Sequence, residues 1–188
     1  LYKYFNDIGF DLLIYIPDRY KEGYGVSNKS IEYAETNNIS LIITVDCGIK
    51  ALEQVDLANS KNIEVIILDH HLPDQKMPNA YAVINPKQSE CKYPFKDLCG
   101  CGIGYKLITA YNTTFNNLTD VFQFLDFVAL ATISDMMPLV SENRLMVFYG
   151  LKLLNTTPRI GLRNFIRSIN GVIDESHVSF NIGPRINA

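Results

Sequence analysis

The sequence predicts an α/β fold: a parallel sheet flanked by helices, followed by a mostly helical C-terminal part. Continuous apolar runs of strand length alternate with helical stretches of roughly 10–15 residues through the first half of the chain. These runs are apolar throughout instead of alternating with polar residues, as expected when helices cover both faces of a parallel sheet. Beyond Pro86 the pattern changes to helical periodicity.

Taken in order, Leu1 to Asn6 reads as the last turns of a helix, with Gly9 near its stop. Leu12-Leu13-Ile14-Tyr15-Ile16 has strand length and is ended by Pro17. A polar loop follows from Asp18 to Gly25, and Ser27 or Ser30 can cap a helix running to about Asn37. Leu41 to Val45 is the next strand and ends on Asp46-Cys47-Gly48. A helix over Lys50 to Ser60 leads to the strand Val65 to Leu68, which runs into Asp69-His70-His71. A further strand, Tyr81 to Ile84, closes on Asn85-Pro86. Cys91 to Leu98 reads as an irregular loop. Helices are expected over Gly102–Tyr111, Thr119–Thr132, Glu142–Leu154 and from Pro158-Arg159 to about Ile169. In the third of these, Leu145, Phe148, Tyr149 and Leu153 lie near helical spacing. Residues 1–170 are expected to form one domain, and residues 171–188 to begin a connector.

Parallel strands put all their C-terminal ends on one edge of the sheet, where ligands bind in such folds. Asp18, Asp46 and Asp69-His70-His71 each follow an expected strand end, so the topology should gather them on one rim. The sequence has only three His, and two of them stand here. Carboxylates with one imidazole suit Mn²⁺ or Mg²⁺ better than a structural Zn²⁺, which usually draws on thiolates. Asp46 can bridge two cations through its two oxygens. His70 can supply a neutral ring nitrogen, and Asp135, at the end of an apolar helix, a second carboxylate. Two such ions activate a water and stabilise a leaving oxygen in phosphoester hydrolysis. His71 can contact the phosphate or protonate the leaving group. Each residue also has a plainer reading: Asp46 in a turn, Asp135 at a helix end, Asp18-Arg19 as a surface ion pair. Cys91, Cys99 and Cys101 lack a second pair and a nearby His, which argues against zinc. Gly100-x-Gly102-x-Gly104 follows no strand and reads as a tight helix entry, not a dinucleotide fingerprint.

Composition narrows the classes. No apolar run is long enough to span a membrane. A net charge of −3 neither suggests nor excludes a nucleic-acid partner. Four Cys without a secretory signal point to a reduced, cytoplasmic setting.

Asp69-His70-His71 resembles the motif that names the DHH phosphoesterase family. Ile42–Gly48 resembles that family's preceding motif, and Ala131–Leu139 its following one. Ile16-Pro17-Asp18-Arg19 with Glu22-Gly23-Tyr24-Gly25, then Tyr93–Gly100, then Gly183–Ala188, make the chain similar to the RecJ-type branch. That branch comprises bacterial exonucleases specific for single-stranded DNA. The resemblance implies a DHH phosphoesterase core and Mn²⁺- or Mg²⁺-dependent cleavage of single-stranded DNA from the 5′ end, in recombination and repair. By position it makes Asp46 the metal-bridging carboxylate, His70 and Asp135 metal ligands, and His71 the group near the scissile phosphate. Arg185 matches an arginine with a plausible phosphate contact, and Arg19 is a second candidate for binding nucleic acid. The alternative within the family is a phosphodiesterase for short oligonucleotides or cyclic dinucleotides. A degenerate, protein-binding domain is disfavoured because Asp46, His70, His71 and Asp135 are all present. The family's earlier Asp-x-Asp strand end has no match. The chain is therefore expected to be a fragment with an incomplete two-metal site, inactive alone and prone to self-association along an exposed strand edge. A ligand role for His70 requires a neutral ring, so activity of the complete enzyme should fall below about pH 6 and recover with added metal.

Overall fold

The computed structural model describes residues 1–169 and 171–186 and divides them into two compact units. The first spans Tyr2–Lys96. The second takes in Asp97–Ala188 together with Leu1.

In the first unit, helix α1 (Tyr2–Asp7) and the four-residue α2 (Arg19–Glu22) precede α3 (Asn28–Thr36). Ser27 caps α3, its hydroxyl accepting from the Ser30 amide. Strand β1 (Leu41–Val45), helix α4 (Leu52–Ser60), and strands β2 (Glu64–Leu68) and β3 (Ala82–Ile84) follow. The sheet order is β1-β2-β3, all parallel, with Val45 opposite Leu68 and Leu68 opposite Ile84. Ile31 and Ala34 of α3 and Val55 and Ala58 of α4 pack on Val65 and Ile67 of β2. Each pair lies three residues apart, which puts it on one helical face.

The expected strand at Leu12–Ile16 is absent. No backbone hydrogen bond of the described residues pairs it with a neighbour, and Leu13, Ile14 and Ile16 are exposed. An apolar run becomes a strand only when a ladder satisfies its amides and carbonyls. Asp18 therefore follows no strand. It caps α2 instead, accepting from the Tyr20 and Lys21 amides, and its ion pair is with Lys21 rather than Arg19.

The second unit is helical. Helix α5 (Gly100–Thr114) is entered tightly, with the Cys99 sulfur accepting from the Gly102 amide at 3.3 Å. A single helical turn, Val121–Phe124, leads into α6 (Leu125–Ser134), which is buried almost all round. Then come α7 (Ser141–Asn155), α8 (Ile160–Arg167), α9 (Glu175–His177), a wide turn at Val178–Ile182, and α10 (Gly183–Ile186). The stretch expected to be a connector is helical, and Ile173, Val178 and Ile182 lie in the core with Ala129, Ile133, Val147 and Leu154. Asn155 fastens it, donating to the Ile173 carbonyl at 2.9 Å and accepting from the Ile173 amide at 2.8 Å.

Helix α7 buries a different face from the one its large residues suggest. Leu145, Phe148 and Tyr149 are exposed, while Met146, Val147, Gly150 and Leu154 face the core. Gly150 decides this: a Cβ there would stand 2.2 Å from the Leu125 carbonyl oxygen. The backbones of α6 and α7 meet more closely than any side chain allows.

Candidate metal centre

The parallel register builds the site. Because Val45 lies opposite Leu68, the residues that follow them, Asp46 and Asp69, leave the sheet side by side. The Asp46 amide continues the ladder to the Leu68 carbonyl at 2.8 Å, and the Asp69 amide reaches the Ile84 carbonyl at 3.2 Å. Asp46 then turns with φ of 63°, a left-handed conformation that Asp tolerates better than most residues. Thr44 closes this turn, its hydroxyl donating to the Cys47 carbonyl at 2.8 Å. Gly48 completes it with φ of 109°, where a Cβ would stand 2.7 Å from the Thr44 hydroxyl oxygen. A side chain at Gly48 would therefore displace the turn that carries Asp46.

One ligand atom each from Asp46, His70 and His71 falls within 4.8 Å of the others. His70 is buried, and its Nε2 stands 3.1 Å from Asp46 Oδ1. That oxygen is itself buried, and among the described residues nothing but the His70 ring nitrogen comes near it. A buried carboxylate oxygen so sparsely satisfied fits a cation, since an unmet acceptor costs its desolvation penalty. The carboxylate oxygen is a donor that Mn²⁺ and Mg²⁺ favour, and an imidazole nitrogen beside it is a ligand of transition-metal ions. Burial, with the Asp69 and Asp46 charges nearby, pushes the thiol of Cys47, next in sequence, up to about 11.

Asp69 is the residue whose role the sequence left unstated. It is 1% exposed and accepts at every side. Oδ1 takes the His70 amide at 2.8 Å, the His71 amide at 3.1 Å and His71 Nδ1 at 2.6 Å, while Oδ2 takes the Ile49 amide at 2.9 Å. Burial disfavours its charge, but the hydrogen bonds from Ile49 and His71 outweigh burial and hold the carboxyl below its ordinary range. The carboxylate thereby fixes both the His-His backbone and the His71 ring. Asn85, buried at the end of β3, adds a third support by donating to the His71 carbonyl at 2.8 Å. Its place after a parallel strand was the available signal, because that rule alone puts it on the same rim.

Beside His71 opens a cavity of about 780 Å³ in the same unit. Lys21, Tyr24 and Gly25 line one side of it, the start of α3 another, and Cys47, Asp69 and His71 a third. Arg19 is exposed on α2, its guanidinium 6.0 Å from the Tyr24 ring centre. The remaining candidates belong to the second unit. Asp135 ends α6, exposed, its amide bonded to the Ala131 carbonyl. Arg185 lies on α10 and donates to the Ser168 hydroxyl at 3.2 Å. Asn187 and Ala188, part of the Gly183–Ala188 motif, lie outside the described residues.

Fold and cluster together define an α/β domain that gathers at its strand ends a carboxylate and two imidazoles, groups that could hold a divalent cation. The chain belongs to the DHH family, whose N-terminal domain matches residues 1–132. It is 42% identical over 177 residues to the single-stranded-DNA-specific exonuclease RecJ of Bacillus subtilis (strain 168), covering 93% of this chain and 22% of that protein. It is 33% identical over 187 residues to RecJ of Escherichia coli (strain K12), covering 92% of this chain and 32% of that one. Among solved structures, exonuclease RecJ bound to manganese matches with a TM-score of 0.88 at 30% identity, over 98% of this chain and 47% of that one. RecJ in complex with Mn²⁺ from Thermus thermophilus matches with a TM-score of 0.82 at 26% identity, over 98% of this chain and 26% of that one. The chain thus spans about a quarter to a third of the length of these curated relatives. No helix among the described residues is long and apolar enough to cross a membrane.

Proposed function

We propose that this chain supplies part of the catalytic core, residues 1–170, of a cytoplasmic exonuclease. The enzyme degrades single-stranded DNA in the 5′ to 3′ direction, in recombination and repair. The observation that carries the reading is the Asp46–His70–His71 cluster with its buried Asp46 oxygen beside the His70 ring nitrogen, in a chain of the DHH family. Relatives solved with Mn²⁺ support the choice of ion. Asp46 and His70 would hold it, and the resemblance of Ala131–Leu139 to the family's following motif assigns Asp135 as a further ligand. A divalent ion there supplies Lewis acidity and lowers the pKa of a bound water. The residues of the chain do the rest. Asp69 locks the His71 ring through Nδ1, leaving Nε2 for the scissile phosphate or its leaving oxygen. Arg185 and Arg19 contact the nucleic-acid backbone. β1 is an edge strand among the described residues, with Leu41 and Val45 exposed, and the isolated chain associates along it.

The test is cleavage by the full-length protein with Mn²⁺. Long single strands labelled at either end, duplexes, dinucleotides and cyclic dinucleotides are compared. Loss of the 5′ label first, on single strands only, is expected. Preference for dinucleotides would overturn the reading. For self-association, a clean monomer in sedimentation at high concentration is the contrary result.

A further inference from the structure

The segment Glu22-Gly23-Tyr24-Gly25 has no part in the metal cluster, yet its acid is the most heavily engaged in the polar loop of the first unit. Glu22 Oε2 accepts from the Tyr15 hydroxyl and from the Ser27 hydroxyl, each at 2.6 Å. Its Oε1 accepts from the Asp18 amide at 3.0 Å. These three donors span both ends of the loop. Tyr15 precedes it and packs its ring 5.1 Å from Tyr33 of α3, Asp18 starts α2, and Ser27 is the cap of α3. One carboxylate therefore ties the loop to α3 at both ends.

What lies between the ties faces the cavity. Lys21, Tyr24 and Gly25 line it together with Cys47 and His71. The Tyr24 hydroxyl reaches to 3.5 Å from the Asp46 carbonyl, and a Cβ on Gly25 would touch Cys47 at 3.9 Å. Arg19 rides on the same loop. Helix α2 is a single turn, and the Lys21–Asp18 ion pair is a surface pair of the kind that contributes little.

We propose that Glu22 is a positioning residue for substrate binding, fixing the Pro17–Gly25 loop as the wall of the cavity beside His71. The Ser27 and Tyr15 hydroxyls and the Asp18 amide hold its carboxyl at about 2, so it is ionised and accepting at any pH at which the protein works. The consequence for binding rests on the nuclease reading above; the hold on the loop does not.

The experiment compares the full-length wild type with E22Q, with Y15F, which removes one donor and leaves Glu22 in place, and with S27A, which removes another donor together with the α3 cap. Glutamine keeps the shape, but its amide nitrogen cannot accept. For E22Q the KM for single-stranded DNA should rise about tenfold, the loss of roughly one charge-assisted hydrogen bond. kcat should stay within about twofold, the signature of lost ground-state positioning. Mn²⁺ affinity by calorimetry should be unchanged, and amide hydrogen exchange should accelerate across residues 17–25. Y15F and S27A should shift KM in the same direction by less. A wild-type KM in E22Q, or exchange across 17–25 unchanged in all three variants, overturns the proposal. If the wild type fails to cut single strands, the nuclease reading fails, and the exchange data still decide whether Glu22 holds the loop.

Discussion

Asp69 and His71 are joined by a 2.6 Å hydrogen bond between a carboxylate with 1% of its residue exposed and a ring that is nearly half exposed. The buried partner also accepts from the Ile49, His70 and His71 amides, and the exposed partner lines the cavity. This is the arrangement by which a carboxylate orients a functional imidazole from behind.

Asp69→Asn tests that relationship. The amide keeps the volume but replaces one acceptor with a donor facing N–H groups. Supporting carboxylates of this kind typically cost 10–100-fold when lost, and a loss of about that size in kcat is expected. Unfolding free energy should fall by about 2 kcal/mol, the scale of a charged hydrogen bond left unmade. Single-turnover cleavage and urea unfolding measure the two effects. An unchanged kcat would dismiss the orienting role.

His70 and His71 should separate by ligand and by rate. His70→Ala is expected to weaken Mn²⁺ binding by at least about tenfold. His71→Ala should leave that affinity within about threefold while lowering kcat by about 10²-fold or more, as for loss of a proton-transfer group. Calorimetry with Mn²⁺ and steady-state cleavage read each axis. The reverse pattern would exchange the two roles.

Acid should erase what Glu22 contributes to stability. Its carboxyl sits at about 2 in the folded protein against an ordinary 4.5, so folding favours the ionised form. That contribution is fully present above the higher value and is lost as pH falls from there towards the lower one. Wild type and E22Q should therefore differ in urea midpoint at pH 7 and converge as pH drops through 4.5 to 2. A gap constant with pH would show that the carboxylate charge is not what stabilises the loop.

Gly150→Ala should destabilise the second unit strongly. The added Cβ would collide with the Leu125 carbonyl and with Ala129 at 2.6 Å, backbone and core on a rigid helix. Overpacking of this kind costs about 3 kcal/mol. Thermal unfolding checks it, and an unchanged midpoint would mean that α6 and α7 can part at little cost.

Much of the fold was legible because its signals are local. The β-branched runs at Leu41–Val45 and Val65–Leu68 are strands within one residue of the expected bounds, and Ser27 caps its helix as its position suggests. Leu12–Ile16 is likewise apolar and forms no strand, because pairing is not a property of the run itself. The α7 face was misleading for a similar reason. Large residues at helical spacing mark an apolar stripe, but a glycine that lets another backbone approach decided which stripe is covered.

By itself, the sequence determined the strands Leu41–Val45 and Val65–Leu68 with the helix between them, the Asp-His-His strand end, and the nomination of Asp46, His70 and His71. Those follow from composition and spacing along the chain. Only the tertiary structure decided that Asp46 and His70, 24 positions apart, stand 3.1 Å from each other. It also decided that Asp69 holds His71, and that Glu22 gathers Tyr15, Asp18 and Ser27. These are matters of register and closure: a parallel ladder sets which strand ends become neighbours, and a buried acceptor takes whichever donors the folded chain brings to it.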